Sequence, residues 1–410
     1  MSASTLAGAP AGPRPPSMQN TVVAGALLLL LGGMVWLGQA VDGRQAALYL
    51  LGGALGLVLY HAAFGFTSAW RVFIADRRGE GLRAQMVMLA IAVLLFFPVL
   101  SAGSLWGQPV QGFVSPVGVG MIFGAFIFGL GMQMGGGCAS GTLYTAGGGS
   151  VRMVLTLGAF ILGSTLGAAH LHWWAALPHL PPISVVQSWG VVPALMANLA
   201  AFAAIAGLTV LLERRRHGRL VTAPHPARRG MGRLLQGPWP ILAGAVALAL
   251  LNFATLALAG RPWGITSAFA LWGSKMAMAL GFDAANWPFW SSAPQQAALH
   301  GSVLNDITSV MDIGIIVGAL LAAALAGRYA PKFRVPLRSA VAAVLGGVLL
   351  GYGARLAYGC NIGAYFSGIA SGSLHGWVWM VAAFFGNVLG TFARPFFGLE
   401  VERVPRQTGC

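Results

Sequence analysis

Two cysteines of this sequence stand in glycine-rich stretches of similar pattern. Cys138 follows three consecutive glycines, and Cys360 lies between Gly359 and Asn361. A thiol is a soft, polarisable group and a weak hydrogen-bond donor, which suits it to contact with a sulfur-bearing anion. Neither cysteine has a histidine or a carboxylate beside it in the sequence, so an activated catalytic thiolate is not indicated. The pattern therefore favours a binding role over an enzymatic one.

The backbone around these cysteines is suited to an anion. Glycine lets the N–H groups at the start of a helix approach a ligand, and the helix dipole there favours negative charge. A buried free cysteine is usually only a small hydrophobic residue, but two at equivalent positions favour a functional interpretation. The predicted substrate path through these stretches contains Cys138, Cys360, Gly137, Gly141, Gly359, Asn361 and Gly363.

A second short motif supplies hydroxyl groups. The pattern Gly-x-Thr-Ser-Ala occurs at residues 65–69 and again at 264–268. Each copy is expected to begin a short helix whose hydroxyls bind an oxyanion, although helix capping and helix–helix hydrogen bonds are an equal alternative. The hydroxyl-bearing candidates are Thr67, Ser68, Thr266 and Ser267.

Two cations complete the candidate path. Arg355 lies inside an apolar run, and Lys275 lies in the segment that begins at the second Gly-x-Thr-Ser-Ala copy. A charge within a membrane segment is a functional candidate, although either side chain could instead extend to an interface. The cysteines have no Cys-x-x-Cys spacing and the sequence has no phosphate-binding loop, so we predict no metal, no other cofactor and no ATP hydrolysis.

Membrane-spanning helices must position these residues. The sequence is 57% hydrophobic and only 8% charged, and its mean hydropathy is +0.75. Continuous apolar runs of roughly 20 residues have the length at which a helix crosses a bilayer. The sequence therefore predicts an all-α polytopic membrane protein with about 10 transmembrane helices plus short re-entrant helices at the cysteines. The predicted spans lie near 21–41, 46–63, 84–104, 115–134, 151–170, 190–212, 239–259, 308–327, 338–358 and 374–394.

The net charge of +15 is assigned to membrane topology rather than to nucleic-acid binding. Basic residues concentrate between the apolar runs, at 76–83, 213–238 and 328–338, whereas 105–114 and 282–307 contain no lysine or arginine. The positive-inside rule places the basic loops in the cytoplasm. We therefore expect a multi-pass protein of the bacterial inner membrane with a cytoplasmic N-terminus.

The two halves of the chain are related in sequence. The aligned pairs are Gly124 with Gly346, Gly129 with Gly351, Gly131 with Gly353, Gly137 with Gly359, Cys138 with Cys360 and Gly141 with Gly363. According to the map of basic loops, the helix before Cys138 runs inward and the helix before Cys360 runs outward. The repeats should therefore have inverted topology, with the cysteines approaching each other near the membrane midplane, which is a recurring plan among transporters.

The repeat and the basic connection give a division of the chain into five parts. Two transmembrane halves are expected, each containing one cysteine-centred repeat, and a basic cytoplasmic linker should join them. The predicted parts are a disordered N-terminal tail at 1–20, a first half at 21–212, the linker at 213–238, a second half at 239–395 and a C-terminal tail at 396–410.

Both cysteine-centred stretches resemble the signature segments of the YeeE/YedE family. The resemblance is carried by Gly-Gly-Gly-Cys at 135–138 and by the run 359–377, and it spans roughly 45–395. It implies an hourglass-shaped membrane protein that imports thiosulfate past its cysteines by transient hydrogen bonding, with a TusA-like sulfur carrier as a partner. Characterised members have a third functional cysteine, expected near the first Gly-x-Thr-Ser-Ala copy, where this sequence has Thr67 and Ser68 instead. Whether Thr67 replaces that cysteine is left open by the sequence, and as a replacement it could act only as an oxygen ligand.

These observations lead to a functional hypothesis with two alternatives. The chain is interpreted as a permease, not an enzyme, for a small sulfur oxyanion, with thiosulfate as the first candidate; its partners are that anion and the lipid bilayer, and not nucleic acid. Another sulfur or selenium species is an alternative substrate. A membrane sulfurtransferase, or a docking subunit for a sulfur carrier, is the alternative from another class. A sulfurtransferase should accumulate a persulfide on Cys138 or Cys360, whereas a permease need not.

Overall fold

The structure, a computed structural model, describes residues 17–221 and 230–402. The described chain is predominantly helical. Its α-helices are α1 (Asn20–Ala40), α2 (Gly43–His61), α3 (Phe66–Asp76), α4 (Glu80–Ala102), α5 (Val119–Gly135), α6 (Ala139–Gly147), α7 (Val151–Ala175), α8 (Val185–Trp189), α9 (Val191–His217), α10 (Gly230–Gln236), α11 (Ile241–Ala259), α12 (Thr266–Ala279), α13 (Ala293–His300), α14 (Ile307–Leu325), α15 (Leu337–Leu356), α16 (Ser367–Ala370) and α17 (Leu374–Ala393).

The remaining regular elements are short. A π-helical segment, Asn361–Phe366, leads into α16. Four 3₁₀ helices lie at Ala284–Asn286, Pro288–Trp290, Val303–Asn305 and Arg394–Phe397. Two antiparallel pairs are formed by β1 (Ser104–Leu105) with β2 (Gln108–Pro109), and by β3 (Val117–Gly118) with β4 (His179–Leu180).

Within the described residues, 10 helical segments are long and apolar enough to cross a membrane. They overlap the predicted spans one for one, which confirms the prediction of an all-α polytopic membrane protein. Four of them are compound, because α2 continues into α3, α5 into α6, α15 through the π-helical segment into α16, and α17 into the last 3₁₀ helix. A short helix therefore follows each cysteine, and α3 and α12 begin at the two Gly-x-Thr-Ser-Ala copies.

Parts of the predicted tails and linker lie outside the described residues, namely 1–16, 222–229 and 403–410, which includes Cys410. Helix α9 continues to His217, past the expected start of the linker, and α10 occupies part of it. The described part of the C-terminal tail folds back onto the helices, where Glu402 pairs with Arg71.

The contact between α5 and α15 reveals a two-fold relationship. A Cβ atom on Gly124 would lie 2.9 Å from the carbonyl oxygen of Gly353, and one on Gly131 would lie 2.8 Å from that of Gly346. Gly124 is the sequence equivalent of Gly346, and Gly131 that of Gly353, so exchanging the two halves exchanges the two contacts. The two helices consequently run antiparallel, and the sequence repeat is also a structural repeat of inverted direction.

The same exchange holds for the next layer of packing. A Cβ on Gly129 of α5 would meet the carbonyl of Ala383 on α17, and one on Gly351 of α15 would meet that of Phe160 on α7. Glycine at these positions lets the backbones approach closely, as is usual where membrane helices pack. Because these two contacts are again sequence equivalents, α7 and α17 hold equivalent places on either side of the α5–α15 pair.

Contacts among the remaining helices follow the same rule. The contact of α2 with α14 is matched by the contact of α11 with α4. In the same way, the contact of α6 with α14 is matched by that of α16 with α4. The peripheral helix α1 covers α14, whereas α9 covers its counterpart α4. Each repeat thus has five spanning helices, and an odd number of crossings makes the second repeat begin on the opposite side from the first.

Candidate functional site

Each cysteine stands where a long helix breaks. Helix α5 ends before Gly136, whose φ is 89°, and α15 ends before Tyr358, whose φ is 56° and which occupies the equivalent position. The left-handed backbone at these two positions turns the chain out of the helix. Cys138 and Cys360 then follow in extended conformation, with φ and ψ of −80° and −170° and of −107° and −168° respectively, immediately before the next helical segment.

These breaks lie well inside the bundle. Gly135, the last residue of α5, packs against Leu350 and Gly346 in the middle part of α15. The two cysteines are 1% and 0% exposed, they belong to one buried cluster, and α6 contacts the π-helical segment. The fold therefore brings both thiols and both helix starts into its centre.

The two sulfurs have weak polar contacts. The Sγ of Cys138 lies 3.3 Å from the hydroxyl oxygen of Ser140, and the Sγ of Cys360 accepts a hydrogen bond from the N–H of Ile362 at 3.4 Å. Neither contact is with an ionisable group, so neither thiol is held next to a base. The arrangement suits hydrogen bonding to a ligand better than nucleophilic attack.

Glycines around the cysteines differ in the space beside them. A Cβ on Gly359, whose φ is 150°, would lie 2.8 Å from the backbone nitrogen of Ala364, so this position requires glycine. One on Gly137 would lie 3.1 Å from Thr142 N. By contrast, no described atom lies within 4 Å of a Cβ placed on Gly363, and the equivalent Gly141 would approach only the Cys138 sulfur, at 3.7 Å. Open space therefore adjoins both helix starts.

The side chain of Asn361 is a buried polar group that is available to a ligand in this region. It is fully buried directly after Cys360, and neither its amide nitrogen nor its amide oxygen has a hydrogen-bond partner among the described residues. A buried amide without a partner costs free energy, typically about 1–3 kcal/mol. Asn361 thus offers both a donor and an acceptor to a ligand beside the Cys360 thiol.

A cavity of about 350 Å³ opens at Gly359, next to Cys360 in the chain; second-half residues form most of its lining, and the segment 112–115 with Leu171 forms the rest, and we call it the second-half cavity. Five predicted path residues line it, and they are Thr266, Ser267, Arg355, Gly359 and Gly363. The guanidinium of Arg355 donates to the Thr266 hydroxyl at 3.4 Å and lies over the ring of Phe289 at 5.4 Å, while its Nε has no partner among the described atoms. The cavity therefore combines a cation, hydroxyls and glycine backbone, which together favour an anion.

Arg261 adds a second cation to this cavity. Its Nη2 donates to the Thr308 hydroxyl at 3.1 Å, and that hydroxyl lies 3.0 Å from the Ser267 Oγ. Burial lowers the pKa of the Arg261 guanidinium, whereas the nearby Asp306 opposes this shift. An arginine remains charged at neutral pH even so, because its ordinary pKa lies above 12.

In the first half, the hydroxyl of Thr67 is the counterpart of Thr266. It is buried and has no hydrogen-bond partner among the described residues, while the Thr67 carbonyl accepts from Gln133 Nε2 at 3.1 Å. Gln133 holds the repeat position of Arg355, and its Oε1 accepts from Arg71 Nη1 at 3.4 Å. A continuous chain of contacts therefore links Thr67 through Gln133 to a guanidinium.

Arg71 itself is paired with the C-terminal tail. Its Nε and Nη2 donate to the two carboxylate oxygens of Glu402 at 2.7 and 2.6 Å. The hydrogen bonds from Arg71 lower the pKa of the Glu402 carboxyl to about 2, and partial burial opposes this shift. Arg394 lies nearby, where it donates to the carbonyls of Gln133 and Glu400 at 2.7 and 2.9 Å.

Two predicted path residues have other contacts in the structure. The Ser68 hydroxyl donates to the carbonyl of Gly65 at 3.2 Å, a local bond at the start of α3. The Lys275 amine donates to the carbonyls of Leu299 and Gly301, both at 2.6 Å, and so links α12 to the C-terminal end of α13. Neither contact brings the side chain to a cysteine.

Sequence reasoning missed three polar residues near the path. Arg71 follows Thr67 by four residues, which places both on one face of a helix. Gln133 could have been found from the ungapped repeat, because it aligns with Arg355. Arg261 precedes the second Gly-x-Thr-Ser-Ala copy by three residues, but nothing in its own pattern separates it from a basic residue at a membrane interface.

The fold and this centre define a class of protein. An all-α polytopic membrane protein with an inverted repeat, whose helices break near the centre of the bundle, has the architecture of a membrane transporter. The family model described as "Sulphur transport" matches residues 61–389. The chain therefore belongs to the sulphur-transport family, also called YeeE/YedE, as the signature segments predicted.

Curated relatives have transporter names. The chain is 28% identical to "Thiosulfate transporter TsuA" of Spirochaeta thermophila over 82% of this chain and 95% of that protein. It is 25% identical to "Thiosulfate transporter TsuA" of Escherichia coli over 82% of this chain and 91% of the relative. A shorter match, at 34% identity, is to "Probable transporter YedE" of Escherichia coli and spans 41% of this chain and only 40% of that relative's length.

Proposed function

We propose that this chain is a permease that imports a small sulfur oxyanion, with thiosulfate as its principal substrate. The observation that carries the proposal is the pair of buried thiols at repeat-equivalent helix starts, each beside a glycine that leaves open space. Membership of the sulphur-transport family and the similarity to proteins named thiosulfate transporters support it. Transport requires no bond to be made or broken, so the chain is not expected to act as an enzyme.

The proposed path begins in the second-half cavity and ends near the first-half threonine. An anion entering beside Arg355 would exchange water for the guanidinium and the Thr266 hydroxyl. It would then pass the constriction formed by Cys360 and Cys138, where thiols, helix N–H groups and Asn361 replace the lost hydration. Because each contact along such a path is weak, the anion can leave as readily as it enters. Thr67 would receive it on the other side as an oxygen ligand.

The proposed location is the bacterial inner membrane with the N-terminus in the cytoplasm. Two of the basic loops expected inside are joined at one end of the bundle, where Arg83 forms a 2.7 Å ion pair with Glu213. Arg71 and the tail residue Glu402 then belong to the cytoplasmic mouth, and the 350 Å³ cavity belongs to the outer mouth. A TusA-like sulfur carrier is the proposed partner at the cytoplasmic side.

The proposed division of the chain remains two transmembrane halves, 21–212 and 239–395, with a basic linker between them. The exchange of equivalent helix contacts between the repeats supports two related units. The short helices after the cysteines are proposed to lie at membrane depth, because α5 and α15 both end inside the bundle; each short helix then completes the crossing that the long helix begins, instead of returning as the re-entrant helix expected from the sequence.

Growth on thiosulfate tests the proposal. A strain lacking its sulfate and thiosulfate uptake systems should grow on thiosulfate as sole sulfur source when it expresses this chain. Purified protein in liposomes should also accumulate radiolabelled thiosulfate, in competition with unlabelled thiosulfate. Failure of both assays with correctly inserted protein would overturn the proposal, and uptake of selenite or sulfite instead would reassign the substrate.

A membrane sulfurtransferase is separated from a permease by the state of the thiols. A sulfurtransferase should accumulate a persulfide on Cys138 or Cys360 after exposure to thiosulfate, which mass spectrometry of the intact protein would detect. In a permease, both thiols should remain unmodified after the same exposure. Burial of both sulfurs away from any base supports the permease.

A further inference from the structure

Arg71 of the first half is a cation that the proposed path does not use. It lies one helical turn after Thr67 on α3, so both side chains are on the same face of that helix. Only 9% of its side chain is exposed, and all three of its nitrogens are engaged, two by Glu402 and one by Gln133. A buried guanidinium whose main partner lies 331 positions away in the sequence calls for an explanation beyond a surface ion pair.

The repeat supplies a second, independent observation. In the second half, Thr266 contacts the guanidinium of Arg355, and this pair borders an open cavity. In the first half the equivalent of Arg355 is Gln133, which bridges Thr67 to Arg71. Each half therefore associates its motif threonine with one guanidinium, although the arginine comes from different helices. The second-half pair is open to a ligand, whereas the first-half guanidinium holds a carboxylate.

The partner of Arg71 has the geometry of a bound oxyanion. Its two carboxylate oxygens accept from Nε and Nη2 in a bidentate fork, the arrangement by which arginine recognises carboxylates, phosphates and related anions. The Glu402 side chain is half exposed, so its departure would open this fork to the surrounding water. Gln133 and Asn387, hydrogen-bonded to each other at 2.6 Å and both fully buried, hold the inner edge of the site in place.

We propose that Arg71 forms a second binding site for a small oxyanion at the first-half mouth, and that Glu402 of the C-terminal segment occupies it as a displaceable internal ligand. The site rests on the proposed function, because an anion that has passed the cysteines would reach Thr67 and then Arg71, one turn further along α3. The tail and the transported anion then compete for one guanidinium. Binding of the anion releases the segment around Glu402, and departure of the anion lets the carboxylate return.

Anion titrations of the full-length protein in detergent test this competition. Isothermal calorimetry with sodium thiosulfate and, separately, sodium sulfate would measure the affinity, at constant ionic strength set by chloride. Glu402→Gln removes the competing charge and keeps the shape, so it should tighten thiosulfate binding about three- to tenfold, as expected when a mostly occupied site becomes free. Glu400→Gln is the matched control, because Glu400 contacts Arg394 through its carbonyl oxygen, and it should leave the affinity unchanged.

Arg71 variants complete a double-mutant cycle. In an Arg71→Gln background, adding Glu402→Gln should produce no further gain in affinity, since the contested guanidinium is absent. If Arg71→Gln does not fold, Arg71→Lys keeps the charge but removes the fork, and most of the gain should again be lost. Unchanged affinity in Glu402→Gln, or a gain that persists without Arg71, would overturn the second site.

Liposome uptake by the same variants separates this inference from the proposed function. Normal thiosulfate uptake together with unchanged anion affinity in Glu402→Gln would overturn the second site and leave the permease intact. Arg71-dependent anion binding by a protein that carries no thiosulfate would establish the site and overturn the permease.

Discussion

The two halves of the molecule associate a guanidinium with equivalent threonines, Thr266 and Thr67, in different ways: directly in the second half and through Gln133 in the first. In the second half, Arg355 extends from α15 and contacts Thr266 directly. In the first half, that position of α5 is Gln133, and the guanidinium comes from Arg71 on α3. The repeat has thus kept its backbone plan and the association of its motif threonine with a guanidinium, while the position of the arginine has moved. Sequence equivalence alone would have identified Gln133 as the functional counterpart of Arg355, and would have missed the arginine.

The halves also differ in how the helix breaks. The left-handed residue after α5 is Gly136, which adopts this conformation without strain, whereas its counterpart after α15 is Tyr358. A bulky residue with positive φ costs free energy, about 1–2 kcal/mol, and persists only where the surroundings enforce it. Because Tyr358 lines the second-half cavity, the more strained break is found at that cavity.

Removing either thiol should have the largest effect on transport and would show whether the halves contribute equally. Cys138→Ala and Cys360→Ala should each reduce thiosulfate uptake by about ten- to a hundredfold, the loss expected for one hydrogen bond to a charged ligand. Membrane expression should be unaffected, because alanine replaces a small buried residue. Cys410→Ala is the control and should be silent. A requirement for Cys410 with a dispensable Cys360 would contradict the assignment.

Arg355→Gln gives the second half the residue of the first and so tests whether the cation is needed there. The half-saturating concentration of thiosulfate should rise by about tenfold or more, because a charge-assisted hydrogen bond is lost at the entrance. Lys275→Gln is the comparison. Since its amine holds two carbonyls, that change should lower the thermal stability and leave the half-saturation unchanged. The opposite pattern would place Lys275 in the path instead.

Thr67→Val should have a somewhat smaller effect, and it tests the first-half threonine. Its hydroxyl has no partner among the described residues, so its removal should not lower stability, and only ligand binding should suffer. We expect the half-saturation for thiosulfate to rise by about tenfold. Thr67→Cys should be tolerated, because a thiol can take over the contact. An unchanged half-saturating concentration of thiosulfate in Thr67→Val would show that Thr67 serves only the start of α3.

Alanine at two neighbouring glycines separates stability from transport. Gly359→Ala places a methyl group 2.8 Å from Ala364 N on a backbone with φ of 150°, and should lower the free energy of unfolding by about 1–3 kcal/mol. Gly363→Ala meets no atom of the described residues within 4 Å, so it should fold normally and slow uptake only severalfold by narrowing the cavity. Thermal unfolding and uptake, measured on both variants, would reveal whether this contrast holds.

The smallest expected effect concerns pH at the first-half mouth. The pKa of Glu402 is lowered from 4.5 to about 2, so its contribution to stability is fully present above pH 4.5 and is lost as the pH falls toward 2. Between pH 5 and 8 the contact of Glu402 with Arg71 should therefore be constant. A transition of the tail within that range, measured by limited proteolysis of the C-terminus, would show that another group controls it.

The sequence by itself determined the spans, the repeat and the central cysteines. The thickness of the bilayer sets the length of each apolar run, and glycine-rich runs mark the helix breaks locally. Both features can therefore be predicted from the sequence. Gly124, Gly131, Gly346 and Gly353 were aligned as repeat pairs in the sequence, and only the structure shows that they form the contact between α5 and α15, where small residues let membrane helices approach closely.

Only the tertiary structure decided which polar groups are free and which are engaged. Ser68 and Lys275 looked equivalent to Thr67 and Arg355 in the sequence, yet the first two are bonded to backbone carbonyls and the Thr67 hydroxyl is not. The pairing of Arg71 with Glu402 joins residues 331 positions apart. Hydrogen-bond partners of this kind depend on how distant helices pack, and local pattern contains no information about them.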